Sequence, residues 1–183
     1  LPLFSSEKTY FACCGKTICC GCGYASLKED IRGICPFCRS STEMSDGGYV
    51  ERIKKRAEAN DCNAMRNLAS YYHEGDKSLP LDPEKAVELW LQAGQLGCAL
   101  SYACVGEAYL NGEGVEMDTE KAKYYWQLAA MGGDVEARHN LGSLEEVSGN
   151  LNRAVKHWMI AAGAGYDESL KAIRNCYLHG HAT

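Results

Sequence analysis

The chain has 183 residues, enough for one ordinary domain or two small ones, and its 46% hydrophobic and 23% charged content is that of a folded protein. A net charge of −5 argues against a nucleic-acid partner, whose phosphates a binder must neutralise. No apolar run approaches the roughly 18 residues that span a bilayer, so no membrane partner is expected either.

The start, Leu1-Pro2-Leu3-Phe4, has no basic n-region and no long apolar h-region, and it lacks an initiator Met. No signal peptide is visible, and the chain reads as a fragment with sequence missing upstream. Of eleven Cys, seven crowd together as Cys13, Cys14, Cys19, Cys20, Cys22, Cys35 and Cys38, while Cys62, Cys98, Cys104 and Cys176 are scattered. An odd total with one dense cluster and no secretory signal favours metal over disulfides, and an intracellular, cytoplasmic location. Cys98, Cys104 and Cys176 are expected in the core as small hydrophobes.

Two Cys-x-x-Cys pairs, Cys19/Cys22 and Cys35/Cys38, are separated by 12 residues. Each such turn aims two sulfurs at one ion, and zinc accepts four thiolates tetrahedrally without redox chemistry. Zinc would be structural here. Residues 1–45 hold few large apolar side chains, chiefly Leu3, Phe4, Phe11, Ile18, Leu27, Ile31, Ile34 and Phe37, a core too small to stand without a staple. Removing the metal is expected to melt this module and leave the residues behind it helical.

The run Cys14-Gly15-Lys16-Thr17-Ile18-Cys19-Cys20-Gly21-Cys22 followed by Cys35-Pro36-Phe37-Cys38-Arg39 resembles a RING finger. The resemblance implies a cross-brace in which Cys13, Cys14, Cys35 and Cys38 form one site. Cys19 and Cys22 form half of a second, whose other pair would lie upstream. Lys16 stands where many RING fingers carry a ligating His, so adjacent Cys13 and Cys14 are assigned as ligands, as in all-cysteine variants, with Cys20 as the spare. The family also implies a partner, a ubiquitin-conjugating enzyme met by Pro36 and Arg39, with the Arg39 guanidinium orienting ubiquitin.

Residues 40–48 are rich in Ser and Gly, and a linker helix is assigned to 46–56. Its basic run Arg52-Ile53-Lys54-Lys55-Arg56, flanked by Glu51 and Glu58, reads as a solvated face. Beyond it the chain repeats. Trp90 and Trp126 are 36 residues apart, as are Gly97 and Gly133, and Gly106 and Gly142, while Trp158 follows after only 32. A period in the mid-thirties signals stacked helical hairpins. Within each copy, a first helix carries apolar residues such as Ala64, Leu68, Ala69 and Tyr72 and ends at Gly75 or Gly112 in the left-handed conformation. Asp82, Asp118 or Asn150 caps a second helix, which carries Ala86/Trp90/Ala93, Ala122/Trp126/Ala129 or Ala154/Trp158/Ala161 on one face.

The in-register set Leu68-Ala69…Tyr72…Gly75…Asp82…Ala86…Trp90…Ala93-Gly94…Gly97, with its second copy through Gly133, resembles Sel-one-like repeats, relatives of tetratricopeptide repeats. The fold class expected is mainly α: a small zinc-stabilised RING-like module over 1–45, then an α-solenoid of about three hairpins over 57–183 that serves as an adaptor surface. The third copy loses the Gly-x-Gly-Val loop at Val147-Ser148-Gly149, and the residues after Asp167 resemble only a terminal first helix.

Two functions follow. The chain is a ubiquitin-protein ligase subunit whose repeats choose the substrate, or a scaffold with a degenerate, purely structural zinc finger. A self-contained active site finds no support: Gly112-Glu113-Gly114 lacks the Lys and Ser/Thr of a phosphate loop, and His73, His139 and His157 stand without a clustered nucleophile. His179 and His181 belong to a frayed tail.

Overall fold

A computed structural model of the protein describes residues 8–19, 34–41, 46–75 and 79–178. Among them the chain is mainly helical, and it divides into two compact units between Leu96 and Gly97.

The first unit opens with a two-stranded antiparallel hairpin, β1 Lys8–Phe11 and β2 Lys16–Cys19, in which Thr9 faces Ile18 and Phe11 faces Lys16. Its turn closes when the Cys14 and Gly15 amides donate to the Phe11 carbonyl at 3.2 and 2.8 Å, with Gly15 at φ +70°. A short loop over 34–41 is pinned by the Ile34–Ser41 bridge. Three helices follow: α1 Asp46–Glu58, α2 Cys62–Glu74 and α3 Pro83–Gln95. α1 buries Val50, Ile53 and Ala57, and Tyr49 meets Tyr71 of α2 edge to face. α2 and α3 pack through small residues that let the helices approach closely, with Ala64, Ala69, Ala86 and Ala93 wholly buried and Trp90 buried with them.

The second unit holds α4 Ala99–Asn111, α5 Thr119–Met131, α6 Val135–Val147, α7 Leu151–Gly163 and α8 Asp167–Leu178. Its core joins Trp126 to Ala103, Ala122, Ala129, Ala137 and Leu141, and Trp158 to Ala154 and Cys176. Cys98 is buried as expected, whereas Cys104 is only half-buried.

Helix ends follow local chemistry. Gly75 and Gly112 terminate α2 and α4 at φ +72° and +74°, and the Asp82 and Asp118 carboxylates accept from the third residue of α3 and α5. Asn150 differs from expectation. It occupies the cap position of α7 but makes no side-chain cap bond. Its Nδ2 instead donates to Glu145 Oε2 at 3.0 Å. Glu145 is only 4% exposed and takes Lys123 Nζ on its other oxygen at 2.8 Å. These bonds, Lys123 first, hold its carboxyl below the usual carboxylate range. A buried carboxylate costs more to leave unpaired than a helix end, so the amide goes to Glu145.

The repeated glycines have a steric reason. A Cβ at Gly106 would lie 2.5 Å from Trp126, and one at Gly142 would lie 2.5 Å from Trp158. With that space open, the Trp126 and Trp158 indoles donate to the carbonyls of Ala103 and His139, both at 3.2 Å. One period earlier the glycine position is Ser70, and the buried indole nitrogen of Trp90 has no partner among the described residues. Gly142→Ala is expected to cost about 1–3 kcal/mol, the range for overpacking a tight site, despite the better helix propensity of Ala. A lowered melting temperature in calorimetry checks it; an unchanged or raised one would show the indole relaxes freely.

Candidate metal centre

The hairpin turn and the loop over 34–41 bring four thiols together. The sulfurs of Cys13, Cys14, Cys35 and Cys38 all lie within 4.8 Å of one another. Cys14 Sγ is 3.7 Å from Cys35 Sγ, and Cys38 Sγ is 3.4 Å from Cys13 Sγ. Four sulfurs on a tetrahedron of 2.3 Å bonds sit about 3.8 Å apart, whereas a disulfide needs about 2.0 Å. The spacing therefore suits a shared thiophilic ion, and no pair among the four is joined. Sequence-adjacent Cys13 and Cys14 both reach the cluster because they occupy the turn itself.

The loop that carries the other two sulfurs is built for the purpose. The Cys35 amide donates to the Ser40 carbonyl at 2.8 Å, and the Arg39 amide to the Cys35 carbonyl at 2.9 Å, with Arg39 itself left-handed at φ +57°. Cys35 is fully buried and Cys38 exposed. Phe37 stacks edge to face on Phe11, and Lys16 Nζ lies 5.1 Å over the Phe37 ring, a cation–π contact at the position where RING fingers often place a His.

The thiols do not titrate alike. Burial, then hydrogen bonds with Cys38 and Cys35, push Cys13 up to about 12, and burial raises Cys14. Ser40, through its hydroxyl and then its amide, brings exposed Cys38 down to about 6. Without an ion the four cannot all be thiolates at neutral pH; a bound dication would take the place of their protons.

Of the other expected ligands, Cys19 ends β2 with its side chain outside the described residues, and Cys22 lies outside them entirely, as do His179 and His181. Pro36 is half-buried and Arg39 exposed, both in the loop beside the cluster. The scattered cysteines take no part in it.

Against the hairpin also lies an arrangement that no motif announces. Asp61 caps α2, its Oδ1 accepting from the amides of Asn63 and Ala64, both at 3.1 Å. Its Oδ2 accepts from the Tyr10 hydroxyl at 2.8 Å and from Arg56 at 3.2 Å. Arg56 Nε also donates to the Ala12 carbonyl at 2.9 Å. Burial and then the bond to Asp61 raise the Tyr10 pKa, so the phenol stays a donor at any ordinary pH. Asp61 is legible in the sequence as a cap, but nothing there points 51 residues back to Tyr10.

Comparison with known proteins completes the picture. The Sel1 repeat family model matches residues 62–98 and 99–134. Residues 62–134 carry two Sel1 repeats. A chitin synthase regulator of Saccharomyces cerevisiae is 29% identical over 148 residues, 76% of this chain and 21% of the relative. Chitin synthase regulatory factor 4 of Schizosaccharomyces pombe is 26% identical over 131 residues, 71% of this chain and 21% of the relative. The chain thus spans about a fifth of the length of these curated relatives. Among solved structures, a Sel1 repeat protein from Oxalobacter formigenes shares the fold with a TM-score of 0.68 at 24% identity, over 73% of this chain and 56% of that one. A protective antigen of uropathogenic Escherichia coli with an SLR fold matches with a TM-score of 0.66 at 28% identity, over 72% of this chain and 29% of that one. No helix among the described residues is long and apolar enough to cross a membrane.

Gly15 is the tightest point of the site. A Cβ there would lie 2.6 Å from Arg56 and 2.7 Å from Asp61, at a positive φ that side chains disfavour. Gly15→Ala is expected to destabilise the first unit by about 1–3 kcal/mol, read as a fall in the denaturation midpoint. An unshifted midpoint would mean that the turn has room to move.

Proposed function

We propose that this protein is an adaptor: its Sel1 repeats dock another protein, and its N-terminal hairpin and loop form a zinc-clipped module that caps or orients them. The observation that carries the adaptor reading is the Sel1 match over residues 62–134, joined to the likeness to proteins named as regulators of another enzyme. Helical-hairpin repeats present extended surfaces suited to binding polypeptide. The relatives' names make a chitin synthase the first partner to try. Immobilised chain is expected to retain that synthase, and a Trp126→Ala chain, with its repeat core hollowed, to retain less. No retention by the wild type removes this class of partner.

The zinc reading rests on four sulfurs at tetrahedral spacing. In it Cys13, Cys14, Cys35 and Cys38 hold the ion, which supplies a structural crosslink and no reaction. Native mass spectrometry of the purified chain is expected to show bound zinc, and Cys35→Ser to lose one equivalent. A metal-free wild type with pairwise crosslinked thiols would refute this.

A ubiquitin-ligase role is the second reading, favoured by one feature: Arg39 stands exposed directly after Cys38 in the loop that carries Pro36. The comparisons give it less support, since the matched family model covers none of the clustered cysteines. Discharge of ubiquitin from a loaded conjugating enzyme, lost in Arg39→Ala, would move the balance toward it.

A further inference from the structure

We propose that occupancy of the thiol cluster is relayed through Asp61 to the first repeat, so that the bound ion governs how firmly α2 is capped and held beside α1. The inference rests on the zinc reading above and extends the ion's influence beyond the module that holds it. The β1–β2 hairpin has four residues per strand, and a two-stranded hairpin is marginal by itself. It is anchored at two places beside one turn. At one, Cys13 and Cys14 join Cys35 and Cys38. At the other, Tyr10 and Ala12 bind Asp61 and Arg56 directly, while Gly15 abuts both.

No more than one residue separates Ala12 or Gly15 from a cluster cysteine. Release of the four sulfurs therefore frees the segment that supplies two of the partners of the Asp61–Arg56 pair. What remains is a carboxylate with one half-buried cation and its two cap bonds. The Oδ1 that caps α2 and the Oδ2 that takes the phenol belong to one planar group, so an Oδ2 held by Arg56 alone fixes the carboxylate's rotation, and with it the cap, less firmly. Arg56, released from the Ala12 carbonyl, no longer ties the end of α1 to the hairpin.

Hydrogen exchange on the whole chain tests the relay. Loading with zinc ion, then stripping with a strong chelator, is expected to speed exchange over 62–74 by roughly fivefold or more, the scale of a lost helix cap, together with exchange over 8–19. Tyr10→Phe keeps the ring and removes the bond. It should bind zinc in the same amount, and 8–19 should still respond, while the response over 62–74 shrinks by at least half. Arg56→Lys serves as the second variant if Tyr10→Phe folds poorly, because a single ammonium nitrogen lacks the guanidinium fork that sets Nε on Ala12 and a terminal nitrogen on Asp61. Zinc bound with exchange over 62–74 indifferent to chelation would overturn the relay and leave the zinc reading intact. So would a Tyr10→Phe chain as responsive as the wild type. Failure of the wild type to bind zinc would remove both.

Discussion

One carboxylate settles how the N-terminal segment meets the helical array. Asp61 ends the short connection between α1 and α2, and its two oxygens face different tasks: one satisfies the free amides that open α2, the other receives a phenol and a guanidinium from segments far apart in sequence. A charge this well supplied with donors is cheap to keep partly buried and costly to strip of its partners. The geometry of the hairpin turn follows from it. Gly15 must lack a side chain because the Asp61–Arg56 pair already fills that space, and a turn so fixed leaves Cys13 and Cys14 facing the loop that holds Cys35 and Cys38.

The helical hairpins rely on a different economy. Large side chains are few, and much of the core is alanine with no exposed surface, so each tryptophan does the filling that several leucines would do elsewhere. Close approach then depends on what faces the indole. Glycine at 106 and 142 lets the ring lie against the helix and reach a carbonyl, whereas in the copy with serine at 70 the Trp90 indole finds no partner among the described residues. The copies share a plan while differing in how completely the polar edge of the ring is satisfied.

What could be read from the sequence was local or periodic. The 36-residue spacing, the caps Asp82 and Asp118, and the left-handed glycines 75 and 112 each depend on chemistry within a few residues or on repetition of it. Asn150 misled because a buried carboxylate five residues earlier competes for its amide, a contest that only burial decides. The grouping of Cys13 and Cys14 with Cys35 and Cys38 came from a family pattern; spacing alone offered the pairs Cys19/Cys22 and Cys35/Cys38 on equal terms. The meeting of Tyr10, Arg56 and Asp61 was illegible, since a tyrosine in a short strand carries no mark of a partner 51 residues away.

The unequal tryptophans give the molecule its own gauges. Trp90 lies in the first unit with an indole N–H that has no partner among the described residues, while Trp126 and Trp158 lie in the second with theirs donated to carbonyls. With only three such rings in the chain, their indole proton resonances divide by unit: two shifted downfield by their carbonyl bonds, one not. A single spectrum can therefore follow the melting of either half without any added label.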